Sequence, residues 1–304
     1  MKQRILITGG SGLLAINWAL TVLDRFDVIL CLHKRQIRIL GLQVINVELG
    51  SFETLARLLK ELKPCIVIHT AGITNIEACE LDKESAYQVN VLNSYNVAKT
   101  CSFLGIKLVH ISTDHLFSGK DKFVEENCSV FPQNFYGKTK AQAELKVLEA
   151  NPKALIIRTN FFGWGTSYRR SFSDFIIETR RDRKKIILFQ DVYFTPIIAE
   201  NLALETHNLI ELNASGVFNI VSDERISKYH FGIMVAKEFN LNTSLIIPGL
   251  ISDNTTLVRR PKDMSLSNYK ARKLLNRDIG NVGQQVRRLY EQEQLGFSFR
   301  TLKI

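Results

Sequence analysis

Nowhere does this chain approach the roughly 20 consecutive apolar residues that a membrane-spanning helix requires. No membrane partner is therefore expected. The N-terminus, MKQRILITGGSG, reaches a glycine cluster at once and leaves no room for a signal-peptide core, so a cytoplasmic location is expected. The five cysteines (Cys31, Cys65, Cys79, Cys101 and Cys128) are odd in number and lack any C-x-x-C pair, which argues against a disulfide framework. The six histidines show no ligand spacing either, and no metal site is expected. Pro/Gly-rich linkers, repeats and low-complexity tracts are absent too, so no clean domain boundary shows. What the chain does have is a surplus of base: 40 Lys and Arg against 30 Asp and Glu, a formal charge of +10. The basic clusters HKR (33–35), YRR (168–170), RRDRKK (180–185) and RR (259–260) are separated by apolar text. That scatter suits several phosphate contacts better than a nucleic-acid arm, and no nucleic-acid module is present.

At 304 residues, 45% of them hydrophobic, the chain can bury a large core. Short β-branched runs at 4–8, 27–33, 41–49, 65–72, 107–113 and 154–159 alternate with helical patterns at 13–23, 51–63, about 85–104 and from about 136. The near-continuous apolar run CIVIHTAG marks a strand covered on both faces. This alternation predicts an α/β fold: a Rossmann-type doubly wound parallel sheet with a smaller, mainly C-terminal α/β lobe. Later helices are expected near 171–181, 197–211, 227–240 and 281–293. The division expected is a dinucleotide-binding domain over 1–160, to which 190–222 returns, and a second lobe from 161–189 and 223–304.

TGGSGLLA (8–15) follows the first strand and opens the first helix. Gly9 permits the tight turn, Gly12 lets a diphosphate approach the backbone, and Ala15 is small enough for close helix–strand packing. The first helical residues, Leu13 and Leu14, complete a candidate phosphate cradle. The second strand ends in His33, Lys34 and Arg35 with no carboxylate, which favours the 2′-phosphate of NADP(H) over the bare ribose of NAD. Ala71 and Gly72 end the fourth strand with little bulk, as a cofactor lying there would need. Three Tyr/Lys pairs have helical i,i+4 spacing: Tyr95/Lys99, Tyr136/Lys140 and Tyr269/Lys273. Only Tyr136/Lys140 opens the helix that follows the strand carrying Ser112, Thr113 and Asp114, so only this pair can reach the edge where a nicotinamide would lie.

Together these residues resemble the extended short-chain dehydrogenase/reductase superfamily, and more narrowly the dTDP-4-dehydrorhamnose reductase family. The supporting text is AGITNIEACE, VNVLNSYNVA, LVHISTDHLFSGK, PQNFYGKTKAQAE, IIRTNFFGWG, GVFNIVSDERISKYHF and RRPKDMSLSN. The resemblance implies an NADP(H)-dependent reductase of a nucleotide-diphospho-4-keto-6-deoxy sugar, with Thr113, Tyr136 and Lys140 as the catalytic set. It implies that Tyr136 donates the proton, that Lys140 lowers its pKa and holds the nicotinamide ribose, and that Thr113 orients the carbonyl. Thr74, Asp114, His115, Phe161, Arg259 and Arg260 are the expected substrate contacts, and Arg158 a further candidate for phosphate. Asn90 matches a residue the superfamily uses near its proton relay, or else ties backbone together. The chain departs from the family pattern at His115, Phe161, Ile73 and DVYFTP. Alternatives within the resemblance are another sugar-nucleotide epimerase or dehydratase, or a non-catalytic subunit like the beta subunit of methionine adenosyltransferase. Oligomeric state stays open, with a homodimer as the candidate.

Overall fold

Seven strands lie side by side, and the burial of the five central ones explains why those five read so clearly in the sequence. The edge strands at 43–46 and 216–219 are less buried, and the latter shows no strand signal of its own. In the computed structural model, which describes residues 2–297, the strands are β1 (Arg4–Thr8), β2 (Asp27–Leu32), β3 (Gln43–Asn46), β4 (Ile66–His69), β5 (Lys107–Ile111), β6 (Leu155–Arg158) and, after four short strands, β11 (Gly216–Asn219). Their order is β11-β6-β5-β4-β1-β2-β3 and every pairing is parallel. The expected α/β doubly wound sheet is thus present. The order reverses between β1 and β4, which opens a crevice at the carboxyl ends of the strands, where ligands of such sheets bind.

One face of the sheet is covered by α1 (Leu13–Val22), which packs on α8 (Ala199–Glu211). Leu14, Ala15, Ile16, Trp18, Ala19 and Val22 of α1 all enter the main apolar cluster. The other face is covered by α2 (Phe52–Leu62), α5 (Asn93–Leu104) and α6 (Phe135–Ala150). The side chain of Ser51 accepts the Thr54 N–H and caps α2, an interaction worth about 1 kcal/mol.

Two expectations need correction. The strand read over 41–49 shrinks to β3, because β3 is the sheet's edge and has a ladder partner on one side only. The helix read over about 85–104 is interrupted: α3 (Ile76–Leu81) and α4 (Lys83–Tyr87) lead into a π-turn at Gln88–Leu92 before α5 begins. Asn90, inside that turn, accepts the Ile73 N–H (2.8 Å) and donates to the Ile73 carbonyl (3.0 Å) and to Thr139 Oγ1 (3.0 Å).

A second apolar cluster gathers around α7 (Phe172–Arg181), α9 (Lys228–Glu238) and α11 (Val282–Gln294). Phe231 is its hub, with Phe162, Phe194 and Phe172 at 5.1, 5.5 and 5.7 Å between ring centroids. Short pairings link this region: β7 (Phe161–Phe162) with β10 (Ile197–Ile198), β8 (Ile186–Phe189) with β13 (Ile246–Gly249), and β9 (Tyr193–Phe194) with β12 (Ile226–Ser227). Within 190–222, β11 lies in the seven-stranded sheet while Phe194 packs in the second cluster. The expected second lobe would include 298–304, which lie outside the described residues, as does Met1. No helix among the described residues is long and apolar enough to cross a membrane.

Candidate active site

α6 comes unusually close to the end of β5, and glycine makes this possible. Asn134 caps the helix by accepting the Gly137 N–H at 2.8 Å. A Cβ at Gly137 would stand 2.4 Å from the His115 carbonyl oxygen, so only glycine fits against the loop that follows β5. One residue earlier, Tyr136 is thereby pressed toward Thr113 and lies edge-on to His115 at 5.8 Å. Thr113, Asp114, Tyr136 and Lys140 are all buried. The other two Tyr/Lys pairs are not part of this centre. Lys99 covers the Phe52 ring at 4.7 Å, and Tyr269 is 63% exposed.

Lys140 sits one helical turn behind Tyr136. Its Nζ donates to the Ile111 carbonyl at 2.7 Å and lies 3.4 Å from His110 Nε2. Burial pulls its pKa down to about 8, and the Glu144 carboxylate one turn further on resists the fall. The Tyr136 phenol is pushed up, first by burial and then by Asp114, with Thr113 and Arg169 opposing. This differs from the expected lowering by Lys140, because the ammonium is directed at the Ile111 carbonyl.

Glu144 is itself buried. It accepts from Ser112 Oγ at 2.5 Å and from Arg158 through Nη2 (2.7 Å) and Nε (3.0 and 3.2 Å). Arg158, a candidate phosphate contact from the sequence, is consumed by this pair and by the Glu126 carbonyl at 3.1 Å.

Beneath Lys140, His69 and His110 stack at 5.4 Å between centroids. His69 Nδ1 is 2.7 Å from Thr8 Oγ1, and Nε2 is 3.0 Å from Ser94 Oγ, which donates to the Asn90 carbonyl. With Ser94 so committed, Nε2–H donates and Nδ1 accepts, an arrangement that protonation destroys. Burial first, and Lys140 second, lower the His69 pKa from 6.5 to about 3. The unfolded chain therefore binds the proton first. Stability is complete above pH 6.5 and is lost as pH falls toward 3. We expect a loss of about 2 kcal/mol from His69 at pH 5. Urea unfolding at pH 7 and pH 5 checks this: His69→Asn should shrink the difference by about 2 kcal/mol, the buried His110, His115 and His207 supplying the rest, and an unchanged difference would refute it.

At the crevice, Gly12 is the N-cap of α1 and its N–H donates to the Gly9 carbonyl at 2.7 Å. Gly9 has φ +67°, and a Cβ there would stand 2.8 Å from Ala71 Cα. The turn therefore demands glycine, which brings Ala71 and Gly72 against the loop and leaves the first N–H groups of α1, at Leu13 and Leu14, facing the crevice. A diphosphate fits that cradle. His33, Lys34 and Arg35 are exposed just beyond β2.

Beside His115 lies a cavity of about 370 Å³ lined by His115, Lys228, Arg260, Phe172, Phe189 and Met264, among others. His115 Nδ1 and Arg260 Nε are buried there with no hydrogen-bond partner. Arg260 also pairs with Glu77. Lys228 lies 3.4 Å from the Phe194 ring centroid, and burial lowers its pKa to about 8. Asp114 accepts from Asn160 at 2.5 Å. A larger cavity, about 610 Å³, opens between Lys107 and Lys153 at the amino ends of β5 and β6, away from this chemistry.

Not every expected contact joins the site. Phe161 packs against the sheet's main apolar cluster and is not among the residues lining the cavity beside His115, because its β7 pairing turns it toward the core. Arg259 is exposed, and its carbonyl accepts from Asn134 at 3.0 Å. Within RRDRKK, Arg180 binds the carbonyls of Asn242 and Lys184 and Arg181 pairs with Glu293, so this cluster braces the fold. Thr74 is exposed and takes a hydrogen bond from Arg169. Lys228 was missed altogether; its signal is a Lys just after the Ser227 helix cap in ISKYH. Tyr168 and Arg169 registered only as part of a basic cluster.

A doubly wound sheet, a glycine cradle and a buried Thr/Tyr/Lys group at the end of the fifth strand define a dinucleotide-dependent oxidoreductase architecture. The family described as "RmlD substrate binding domain" matches residues 3–295, and the chain belongs to that family. It is similar to a protein of Haloferax volcanii named "Probable low-salt glycan biosynthesis reductase Agl14", 28% identical over 260 residues that make up 84% of this chain and 87% of that one. It is 26% identical to the dTDP-4-dehydrorhamnose reductase of Aggregatibacter actinomycetemcomitans over 278 residues, 86% of this chain and 90% of the relative. The crystal structure of dTDP-4-dehydrorhamnose reductase from Bacillus anthracis in complex with NADP shares the fold with a TM-score of 0.84 at 22% identity, covering 96% of this chain and 100% of that one.

Proposed function

We propose that the protein is an NADPH-dependent reductase of a nucleotide-diphospho-4-keto-6-deoxy sugar, acting in the cytoplasm in nucleotide-sugar and surface-glycan biosynthesis. The observation that carries the reading is the burial of Thr113, Tyr136 and Lys140 together at the crevice end of β5, between a glycine cradle and a basic cavity. The relatives named as glycan or dehydrorhamnose reductases support it. In this reading residues 1–160 and 190–222 bind the dinucleotide, and 161–189 with 223–304 hold the sugar nucleotide.

Gly9, Gly12, Leu13, Leu14, Ala71, Gly72 and Lys140 would hold NADPH, with His33, Lys34 and Arg35 at its 2′-phosphate. When bound, the cofactor supplies the hydride. Thr113 orients the sugar carbonyl, and the alkoxide formed there takes its proton from Tyr136 Oη. Burial keeps that phenol fully protonated until it is needed. The Thr113 hydroxyl and the cationic Arg169 then ease the phenolate that remains. The diphosphate of the substrate meets Lys228 and Arg260, whose neighbour His115 has a free ring nitrogen. Asp114, next to His115, and Thr74, which lines a separate opening with Arg169 and Arg260, are the further substrate contacts in this reading.

The reading is tested by following NADPH oxidation with purified protein and a panel of dTDP-, GDP- and UDP-linked 4-keto-6-deoxy sugars. Turnover with dTDP-4-dehydro-L-rhamnose is expected. No turnover with any member, alongside tight binding to a second protein, would favour a non-catalytic subunit instead.

A further inference from the structure

A short strap, residues 165–171, leaves the second apolar cluster and crosses to the dinucleotide crevice. Both of its ends are clipped by one carboxylate oxygen: Asp174 Oδ2 accepts the N–H of Gly165 and of Ser171, each at 2.8 Å. Between them the Thr166 N–H donates to the Arg169 carbonyl at 2.8 Å, which closes the loop into a tight turn. A Cβ at Gly165 would stand 2.3 Å from the Arg169 carbonyl oxygen, so the turn also depends on glycine.

The tip of the strap reaches three segments that end at the crevice: the glycine loop, the residues after β4 and the residues after β2. Tyr168 Oη donates to the Ser11 carbonyl, inside the glycine loop, at 2.9 Å. Arg169 donates to Thr74, beyond the end of β4. The guanidinium of Arg35, just past the end of β2, lies over the Tyr168 ring with its Cζ 3.9 Å from the centroid.

This stack uses the guanidinium in a particular way. A ring occupies the flat face of the group, while the N–H donors point outward in its plane. The edge that can grip a phosphate oxygen pair is therefore left free, and the face contact limits the rotamers an exposed Arg would otherwise sample. Tyr168 is fixed in turn by its hydroxyl at Ser11, so the position of Arg35 is tied to the loop that cradles the diphosphate.

We infer that Tyr168 is a specificity-determining residue, which holds Arg35 edge-on to the 2′-phosphate of NADP(H) from the opposite lobe. The inference rests on the cofactor reading above. It assigns discrimination between NADP(H) and NAD(H) to a residue far in sequence from the β2 terminus.

Calorimetric titration with 2′,5′-ADP and 5′-ADP, the adenosine halves of the two cofactors, tests it without any turnover. The wild type should prefer 2′,5′-ADP. Tyr168→Ala should weaken 2′,5′-ADP by about tenfold and 5′-ADP by less than about twofold, as expected for losing one cation–π contact and the order it imposes. Tyr168→Phe, which keeps the ring, should retain most of the preference. Unchanged 5′-ADP binding by Tyr168→Ala shows that the variant is folded. A wild-type preference that survives Tyr168→Ala, equal losses for both ligands, or tighter 2′,5′-ADP binding by the variant would overturn the inference alone. A wild type with no preference would overturn the cofactor reading, and the inference with it.

Discussion

Tyr136→Phe should lower kcat for sugar reduction by about 10²–10⁴-fold, the contribution typical of a positioned proton donor. The substitution removes a single oxygen from a ring that is 7% exposed and packed with Ile76, Cys79 and Ala86. The fold and cofactor affinity should therefore be retained. Tyr95→Phe and Tyr269→Phe serve as controls and should leave kcat within about twofold, since Tyr269 is exposed and Tyr95 is half-buried on α5, whose Lys99 covers Phe52. Steady-state rates with thermal unfolding of all three variants check the prediction. A Tyr136→Phe enzyme with more than a tenth of the wild-type kcat would refute the assignment of the proton to Tyr136.

Glu144→Gln should destabilise the protein by about 3–5 kcal/mol, because it strands the buried Arg158 guanidinium without a counter-charge. Both side chains of the pair are only 6% exposed, so water cannot take over from the lost carboxylate. Replacing both partners, in Glu144→Met with Arg158→Met, should recover most of that loss. A second consequence falls on the site. Glu144 holds the Lys140 pKa up, so without it the ammonium is lost at a lower pH, and any alkaline decline in activity near pH 8 should move downward. Urea unfolding and a pH–rate profile of the single and double variants measure both effects. A loss below about 1 kcal/mol for the single variant would show that Arg158 finds another partner.

What could be read from the sequence depended on distance along the chain. The glycine loop, the strands and the Tyr136/Lys140 spacing are local: turn, helix and strand order lie in adjacent residues, so their geometry follows from chain stereochemistry. The β2 terminus was equally legible as a basic turn. Arg158 and Phe161 were assigned toward ligand from their places in a motif, but burial against Glu144 and against the main core decides otherwise. Lys228 and Tyr168 could not be recognised, since Lys228 reaches the cavity beside His115, and Tyr168 reaches Ser11 and Arg35, only when the chain returns from the second apolar cluster. Local spacing says which side chains share a face, and says nothing about what that face meets.

The π-turn at Gln88–Leu92 has a consequence for how this region can tolerate change. Each residue in an α-helix turns the chain by roughly 100°, and a π-turn absorbs one extra residue. Upstream of it the phase is set by Ala86; inside it Asn90 is locked to Ile73; downstream Ser94, Val97, Ala98 and Cys101 face the sheet. Deleting a single residue from 88–92 would restore an ideal helix and set these two halves out of phase. The helix could then keep Asn90 on its loop or keep α5 on its sheet, but not both. The irregular turn is the splice that lets one rod serve two registers, and length is as much a constraint there as residue identity.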